Sequence, residues 1–151
     1  MIRRLAPADL DALDALAPLF AAYLDFYRVA QTTEDQRKFL AGRLAAEDSA
    51  AFGSFDESGR MTGFALCHFA HNSLRLAPAW ILHDLFVDPQ TRRRGTAGQL
   101  LDTVHEAARA AGACEVILST AHDNRAAQAL YEGAGYKHDQ IFRTYVRDLS
   151  G

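Results

Sequence analysis

The chain has 151 residues, of which 49% are hydrophobic and 23% are charged, and its formal net charge is −3. This is enough chain for one globular domain with a hydrophobic core, and the charge gives no indication of nucleic-acid binding. No apolar run reaches the roughly 20 residues of a membrane span, and the N-terminus lacks a signal-peptide pattern. We therefore expect a single domain over residues 1–151, in the cytoplasm, with neither nucleic acid nor membrane as a partner.

Residues 2–5 predict a short strand, and Pro7 with Asp9 is typical of a helix start. Apolar residues then recur at spacings of three and four, and Pro18 among them predicts a kink or a restart. The helix ends in an aromatic cluster formed by Tyr23, Phe26 and Tyr27. We expect Phe26 to pack in the core. Tyr23 and Tyr27 either pack in the core as well, or one of them lines a substrate pocket.

The next segment predicts a second helix and an antiparallel pair of strands. Thr33 and Gln36 have the spacing of a capping box, and the apolar stripe of this helix is Phe39, Leu40 and Leu44. Residues 51–55 and 61–69 predict strands joined by a turn, and residues 71–78 predict a loop. The two cysteines, Cys67 and Cys114, lie in apolar runs and are interpreted as buried thiols.

A basic loop between a strand and a helix organises the chain. Residues 80–87 predict a buried strand, and helical spacing from residue 95 to residue 111 predicts a long helix ended by Gly112. The loop carries Arg92, Arg93 and Arg94, followed by Gly95 and Gly98. Unpaired N–H groups and the positive end of the helix dipole meet there, so three more positive charges are unfavourable unless an anion binds. The loop thus predicts a phosphate site, with a solvated basic turn as the alternative.

The last third predicts a strand at 115–120, a helix at 125–134 capped by Asn124 and ended by Gly135, and strands at 136–138 and 142–149. The strand–helix–strand unit in the middle of the chain requires a parallel pair of strands. The predicted fold is therefore α/β (α+β), with a mixed, mostly antiparallel sheet of six or seven strands and helices on both faces.

Two motifs resemble the GCN5-related N-acetyltransferase (GNAT) family. Arg92-x-x-Gly95-x-Ala97 resembles the signature of the loop that holds the pyrophosphate of acetyl-CoA, with Ala97 where glycine is commoner. Residues 119–136, with Asn124 and a Leu-Tyr ahead of Gly-Tyr, resemble the second motif. Residues 80–87 resemble a bacterial subgroup with Leu-Asn-Asp-Leu-Phe-Val, yeast histone and D-amino-acid acetyltransferases, and diamine acetyltransferases. The chain is identified as a member of this family, whose proteins are frequently dimers.

The resemblance implies that a primary amine of a small molecule or peptide attacks the thioester of acetyl-CoA directly, in a ternary complex. The residues that it assigns to cofactor binding are Leu85, Phe86, Val87, Arg92, Arg93, Arg94, Gly95, Thr96, Ala97, Gly98, Asn124, Ala127 and Tyr131. Backbone N–H groups near Phe86 and Val87 would polarise the carbonyl oxygen. Tyr131 would protonate the thiolate, the alternative being a packed tyrosine with a satisfied hydroxyl.

His83 occupies the position of the glutamate base of the diamine acetyltransferases, and an imidazole suits proton transfer near neutral pH. The alternative is a histidine that only shapes the acceptor pocket, to which Tyr27 would also contribute. Alternation along a strand predicts that His83 and Asp84 face opposite sides of the sheet. The histidines show no metal-ligand spacing. A catalytically weak CoA-binding sensor or interaction module of the same fold is the alternative function, and the identity of the acceptor is left open.

Overall fold

The computed structural model describes residues 1–6 and 9–151, except for the side chain of Leu10. Its elements are β1 (Ile2–Arg4), α1 (Leu10–Phe26), α2 (Thr33–Ala45), β2 (Ser49–Phe55), β3 (Met61–Asn72), β4 (Ala77–Val87), α3 (Thr96–Ala110), β5 (Val116–Leu118) and α4 (Arg125–Gly133), with a 3-10 turn at Pro89–Thr91. Residues 1–119 form one compact unit with the sheet and α1 to α3, and residues 120–151 form a second unit with α4.

The sheet of the first unit has the order β1-β2-β3-β4-β5. Its first four strands pair antiparallel, whereas β4 and β5 pair in parallel through Trp80, Ile81 and Leu82. The predicted mixed sheet and its parallel pair are therefore confirmed. The parallel pair is possible because α3 provides the crossover between β4 and β5.

The described residues hold five strands, so the predicted strands at 136–138 and 142–149 are wrong. The backbone N–H groups of Ile141 and Phe142 donate to the Asp139 carboxylate at 2.7 and 3.0 Å. These bonds close a turn around an aspartate side chain, which competes with strand geometry where the last strand was expected to begin.

Helices cover both faces of this sheet, as predicted. Phe64 and Leu66 of β3 belong to the core cluster that includes side chains of α1 and α2. Gly63 lies on the opposite face, where an added Cβ would come within 3.3 Å of Leu100 Cδ1 in α3. The buried side of α3 contains Leu100, Leu101 and Val104, each 0% exposed, which confirms the helical spacing read from the sequence.

Helix α1 begins after Asp9, whose carboxylate accepts from the backbone N–H of Ala12, whereas Pro7 lies outside the described residues. The helix runs through Pro18 without a restart. Buried leucines and Phe20 on either side of the proline hold both halves against the core. Phe26 is 58% exposed, so its predicted core packing is wrong: it is the last residue of the helix, and its ring contacts that of Tyr27.

Helix α2 and the central hairpin differ from their predicted bounds. The N-cap of α2 is Thr32, one residue before the predicted position, and its hydroxyl accepts from the backbone N–H of Asp35. Leu40 and Leu44 are buried as predicted, whereas Phe39 is 47% exposed. The pairing of β3 with β4 extends to Asn72 and Ala77, so the predicted loop at 71–78 is shorter than expected: residues 73–76 form the turn, and the residues on either side are strand.

Candidate active site

A β-bulge in β4 marks the candidate site. Leu66 of β3 pairs with Asp84, but the next residue, Cys67, pairs with Leu82. His83 is therefore the extra residue, without a partner in β3. A bulge breaks the alternation of side chains along a strand and re-aims those next to it.

The bulge brings His83 and Asp84 together. His83 Nδ1 lies 3.2 Å from Asp84 Oδ1, so the prediction that these side chains face opposite sides is wrong. The same Oδ1 accepts a hydrogen bond of 2.5 Å from the hydroxyl of Tyr23 in α1. The side chain of Asp84 is 6% exposed and that of His83 is 64% exposed. A buried carboxylate thus accepts from a tyrosine hydroxyl, and it lies within hydrogen-bonding distance of an imidazole that reaches solvent.

Two further side chains of β3 lie near this carboxylate. The ring of His68 stands edge-on to that of His83, with centroids 5.3 Å apart. Burial, and then the charge of His83, lower the pKa of His68. Burial, and then the negative charge of Asp84, raise the pKa of the Cys67 thiol to about 12. We call Tyr23, His68, His83 and Asp84 the bulge cluster.

Aromatic rings of α1 border the bulge cluster. Tyr23 packs edge-on against Phe64 and Phe86 of the sheet, with centroids 5.9 and 6.2 Å away. Tyr27, the predicted substrate residue, packs edge-on against Tyr23 at 5.1 Å and is 48% exposed. Tyr27 therefore presents about half of its surface to solvent next to the bulge cluster, as a pocket-lining residue would.

Beyond the bulge, one side of β4 has no paired strand in the described part of the chain. The pairing with β5 ends at Leu82, so Leu85, Phe86 and Val87 pair with β3 alone. The Asp88 N–H donates to the Thr62 carbonyl oxygen of the β3 side. Since N–H groups alternate along a strand, those of Leu85 and Val87 face the unpaired side. This is where the strand was expected to polarise a carbonyl oxygen, with Val87 favoured over Phe86.

The predicted phosphate loop, residues 92–98, is called the α3 loop. Arg92 Nε donates to the Val87 carbonyl oxygen at 3.0 Å, and its guanidinium lies over the ring of Phe86, 5.6 Å from the centroid. Arg93 has a φ of +65°, and Gly95, the N-cap of α3, has a φ of +77°. Glycine is favoured at a positive φ because a Cβ strains the backbone there. These two left-handed residues turn the chain into α3.

The α3 loop is positive and lacks internal neutralisation. No side chain caps α3. Among the described residues, Arg92, Arg93 and Arg94 form no ion pair with a carboxylate. The N–H groups of Thr96, Ala97 and Gly98 start the helix, and they add the positive end of its dipole. An added Cβ at Gly98 would meet no atom within 4 Å, so the backbone is open there. These groups can bind phosphate oxygens.

The second unit holds the remaining predicted residues. Asn124 caps α4, and its side-chain oxygen accepts from the Ala127 N–H at 3.2 Å. The predicted cap is therefore confirmed. Tyr131 lies about two helical turns after Asn124 along α4, and its ring stands edge-on to that of Tyr136, with centroids 5.8 Å apart.

Sequence reasoning identified His83 but missed its partner Asp84 and the Tyr23 hydroxyl that donates to the same carboxylate. The aromatic cluster at the end of α1 suggested Tyr23 or Tyr27 as a pocket residue, yet nothing in the apolar run of β4 indicates a bulge. Within the described part of the chain, no group of three His, Cys, Asp or Glu side chains is arranged to hold a metal ion. None of the described helices is long and apolar enough to cross a membrane.

Comparison with known proteins gives consistent results. The model of the acetyltransferase (GNAT) family matches residues 16–136. The uncharacterised N-acetyltransferase YhfO of Bacillus subtilis is 37% identical over 135 residues, which cover 89% of this chain and 90% of that protein. The crystal structure of a probable acetyltransferase superimposes with a TM-score of 0.92 at 36% identity, over 100% of this chain and 99% of that one.

A more distant structure shares the fold alone. The aminoglycoside N-acetyltransferase AAC(6')-Iy, solved in complex with CoA, has a TM-score of 0.80 at 21% identity and covers 97% of this chain and 93% of its own.

Proposed function

The chain belongs to the GNAT family of acetyltransferases and is an acetyl-CoA-dependent N-acetyltransferase; we propose that its acceptor is a primary amine of a small molecule or peptide. The observation that carries this proposal is the bulge cluster, whose exposed His83 imidazole lies beside a buried carboxylate, with the half-exposed Tyr27 packed against Tyr23. The reaction is direct attack of the amine on the thioester, without a covalent enzyme intermediate.

The α3 loop has the chemistry to bind the pyrophosphate of CoA. Its three guanidinium groups, the unpaired N–H groups of α3 and the left-handed glycine are the donor set that phosphate oxygens require. We assign the loop residues to this role together with Leu85, Phe86 and Val87, and we assign Asn124, Ala127 and Tyr131 of the second unit to the rest of the cofactor. When bound, acetyl-CoA supplies the acetyl thioester.

Three groups of the chain perform the chemistry that we propose. His83 Nε2 takes a proton from the acceptor ammonium, since only a neutral amine is nucleophilic. The Val87 N–H, on the unpaired side of β4, donates to the carbonyl oxygen as negative charge develops on it. The Tyr131 hydroxyl gives its proton to the departing thiolate sulfur.

The test of the acceptor class is acetyl-CoA turnover with a panel of small amines, amino acids and basic peptides. We expect CoA release to depend on one class of primary amine. Binding of CoA with no turnover on any amine would instead support the alternative, a CoA-binding sensor of the same fold.

His83→Asn tests the base separately. We expect this variant to fold and bind CoA, while kcat falls by about 10²-fold or more, because an amide cannot take up a proton. In the parent, kcat/KM should rise with pH as the base loses its proton, and this rise should be absent from the variant. If His83→Asn is as fast as the parent from about pH 6 to about pH 9, His83 only shapes the pocket and the amine loses its proton to water.

We further propose that both units belong to one domain, which is supported by a family match that spans them. The likeness to a bacterial relative supports placement in the bacterial subgroup, and the strand motif supports the yeast resemblance. The free thiols of Cys67 and Cys114 support a cytoplasmic location.

We propose a homodimer because five large apolar side chains between Ile141 and Leu149 are exposed. Sedimentation velocity would then show the mass of two chains.

A further inference from the structure

We propose that Asp84 is a positioning residue, which fixes the tautomer of His83 so that the Nε2 lone pair faces the acceptor. This inference rests on the proposed role of His83 as the base. Asp84 would orient this base before the acceptor binds. The bulge in β4 makes it possible, because it puts neighbouring side chains of one strand in contact.

The tautomer follows from the hydrogen bonds at one oxygen atom. Asp84 Oδ1 lies 2.5 Å from the Tyr23 hydroxyl and 3.2 Å from His83 Nδ1. An ionised carboxylate only accepts hydrogen bonds, so Nδ1 has to carry a hydrogen and donate it. A neutral imidazole carries one ring hydrogen, so Nε2 then keeps its lone pair. The Tyr23 hydroxyl donates to the same oxygen and holds the carboxylate in place.

Burial of the Asp84 carboxylate favours its hydrogen bond to His83 Nδ1 over hydrogen bonds to water. The Asp84 side chain is 6% exposed, so little water competes with Nδ1 for its oxygen, whereas the His83 side chain is 64% exposed. Among the described residues, no arginine or lysine forms an ion pair with Asp84. The carboxylate is therefore available to stabilise the imidazolium that forms when Nε2 takes a proton.

His68 contributes by remaining uncharged. Its ring contacts that of His83, and two neighbouring imidazolium ions would repel each other. Burial of His68, followed by the charge of His83, lowers the pKa of His68. The charged or titratable groups that act on this pair are Asp84, Arg43, Asp48 and, through its hydroxyl, Tyr23. The proton of the acceptor therefore goes to His83, which has the carboxylate beside it.

The steps balance without another reactant. The acceptor N–H bond breaks, and the proton moves to His83 Nε2 while the electron pair stays on nitrogen. That pair forms the bond to the acetyl carbon, the nitrogen, now cationic, releases a second proton to water, and the carbon–sulfur bond breaks with its pair going to sulfur. Tyr131 protonates the sulfur and takes a proton back from water, and His83 returns its proton to water, so that one proton is released to solution in each turnover. Throughout, the Nδ1 hydrogen remains bonded to Asp84.

The direct test is long-range ¹H–¹⁵N NMR of the histidine rings in the full-length protein without ligand. At about pH 8.5, well above the ordinary imidazole pKa of about 6.5, we expect His83 to show the Nδ1–H tautomer. His83→Gln identifies its signals. A predominant Nε2–H tautomer in the parent protein would overturn the inference.

Asp84→Asn tests the consequence for the reaction. An asparagine can present its NH₂ to Nδ1, which selects the opposite tautomer, as the same exchange does in the serine protease triad. We expect the Nε2–H tautomer and a kcat lower by about 10²-fold or more, with the KM for acetyl-CoA and the CoA-induced rise in Tm unchanged. Asp102→Asn, an exposed carboxyl of α3, is the matched control and should keep the parent kcat and tautomer.

Tyr23→Phe keeps the test decisive if Asp84→Asn does not fold. It removes one donor and leaves the carboxylate, so we expect the Nδ1–H tautomer to persist and kcat to fall by less than about 10-fold. Loss of that tautomer in Tyr23→Phe, or its retention in a folded Asp84→Asn, would overturn the role of Asp84. A fast His83→Asn variant would instead overturn the base assignment and leave the tautomer result standing.

Discussion

The α3 loop and the bulge cluster carry opposite charge, and they differ in how that charge is balanced. The loop holds three guanidinium groups and a helix N-terminus, with no carboxylate paired to those arginines in the described residues. The bulge cluster holds one buried carboxylate that already has two donors. The loop therefore depends on a ligand for neutralisation, whereas the cluster is organised before any ligand binds. Such a division is expected where one substrate is an anion and the other loses a proton.

The largest expected effect comes from a substitution that prevents the α3 loop from binding an anion. In the parent protein, CoA at a hundred times its Kd should stabilise the fold by about 2.7 kcal/mol, which calorimetry measures as a rise in Tm. Gly95→Asp adds a carboxylate and a Cβ at a φ of +77°, so we expect the CoA-dependent shift to disappear.

Gly59→Asp is the matched control for that experiment. Gly59 has a φ of +83° in a hairpin turn, and an added Cβ there also meets no atom within 4 Å. The control thus has similar backbone strain and the same added charge, and it should keep the full CoA-dependent shift. If the parent protein itself shows no shift, the loop does not bind CoA and the contrast between the two regions fails.

Tyr131→Phe extends the comparison to the second unit. We expect CoA binding to persist and kcat to fall by about 10²-fold, the lower end of what general acid catalysis contributes. Tyr145→Phe, whose side chain is 86% exposed in the same unit, is the control. An unchanged kcat, with the chemical step shown to limit the rate, would mean that water protonates the thiolate.

The smallest effect concerns the pH dependence of stability in the bulge cluster. Because the pKa of His68 is lowered in the folded state, the unfolded chain binds a proton first as the pH falls. The free energy of unfolding should therefore decrease from about pH 7 towards about pH 5, by less than about 1 kcal/mol for this partly exposed group.

Urea unfolding of the parent and of His68→Gln at several pH values measures this effect. The variant should show a shallower decrease, although His105, whose pKa is also lowered by burial, keeps part of it. An equal or steeper decrease in His68→Gln would show that protonation of His68 is not resisted in the folded protein, and that the cluster tolerates two positive imidazoles.

The sequence predicted those parts of the molecule in which apolar residues recur at a regular spacing. Leu100, Leu101 and Val104 recur as one face of a helix requires, and the strands beside α3 had to be parallel. The capping role of Asn124 was similarly local. The bulge at His83 was not predictable, because the flanking residues are apolar with or without it. The contact between His83 and Asp84 depends on that single register shift.

Other errors arose where a residue type suggested burial but its position did not allow it. Phe26 and Phe39 are large and apolar, yet Phe26 lies at a helix end, and Phe39 of α2 is about half exposed with its ring stacked on Phe20. The alternating apolar residues from 142 to 149 suggested a strand, but Asp139 captures the N–H groups at its start. The exposure of a side chain depends on which elements pack together in the folded chain. A local sequence pattern carries no information about those contacts.

The rate at which the Cys67 thiol is alkylated can report how frequently the structure around β3 opens. Its residue is 0% exposed, and a pKa of about 12 leaves a thiolate fraction of about 10⁻⁴ at about pH 8. An alkylating reagent therefore reacts at this position only when the packing around β3 opens, and the partly buried Cys114 serves as the internal reference. Mass spectrometry of the two cysteine peptides over time would measure how frequently this opening occurs, without any engineered probe.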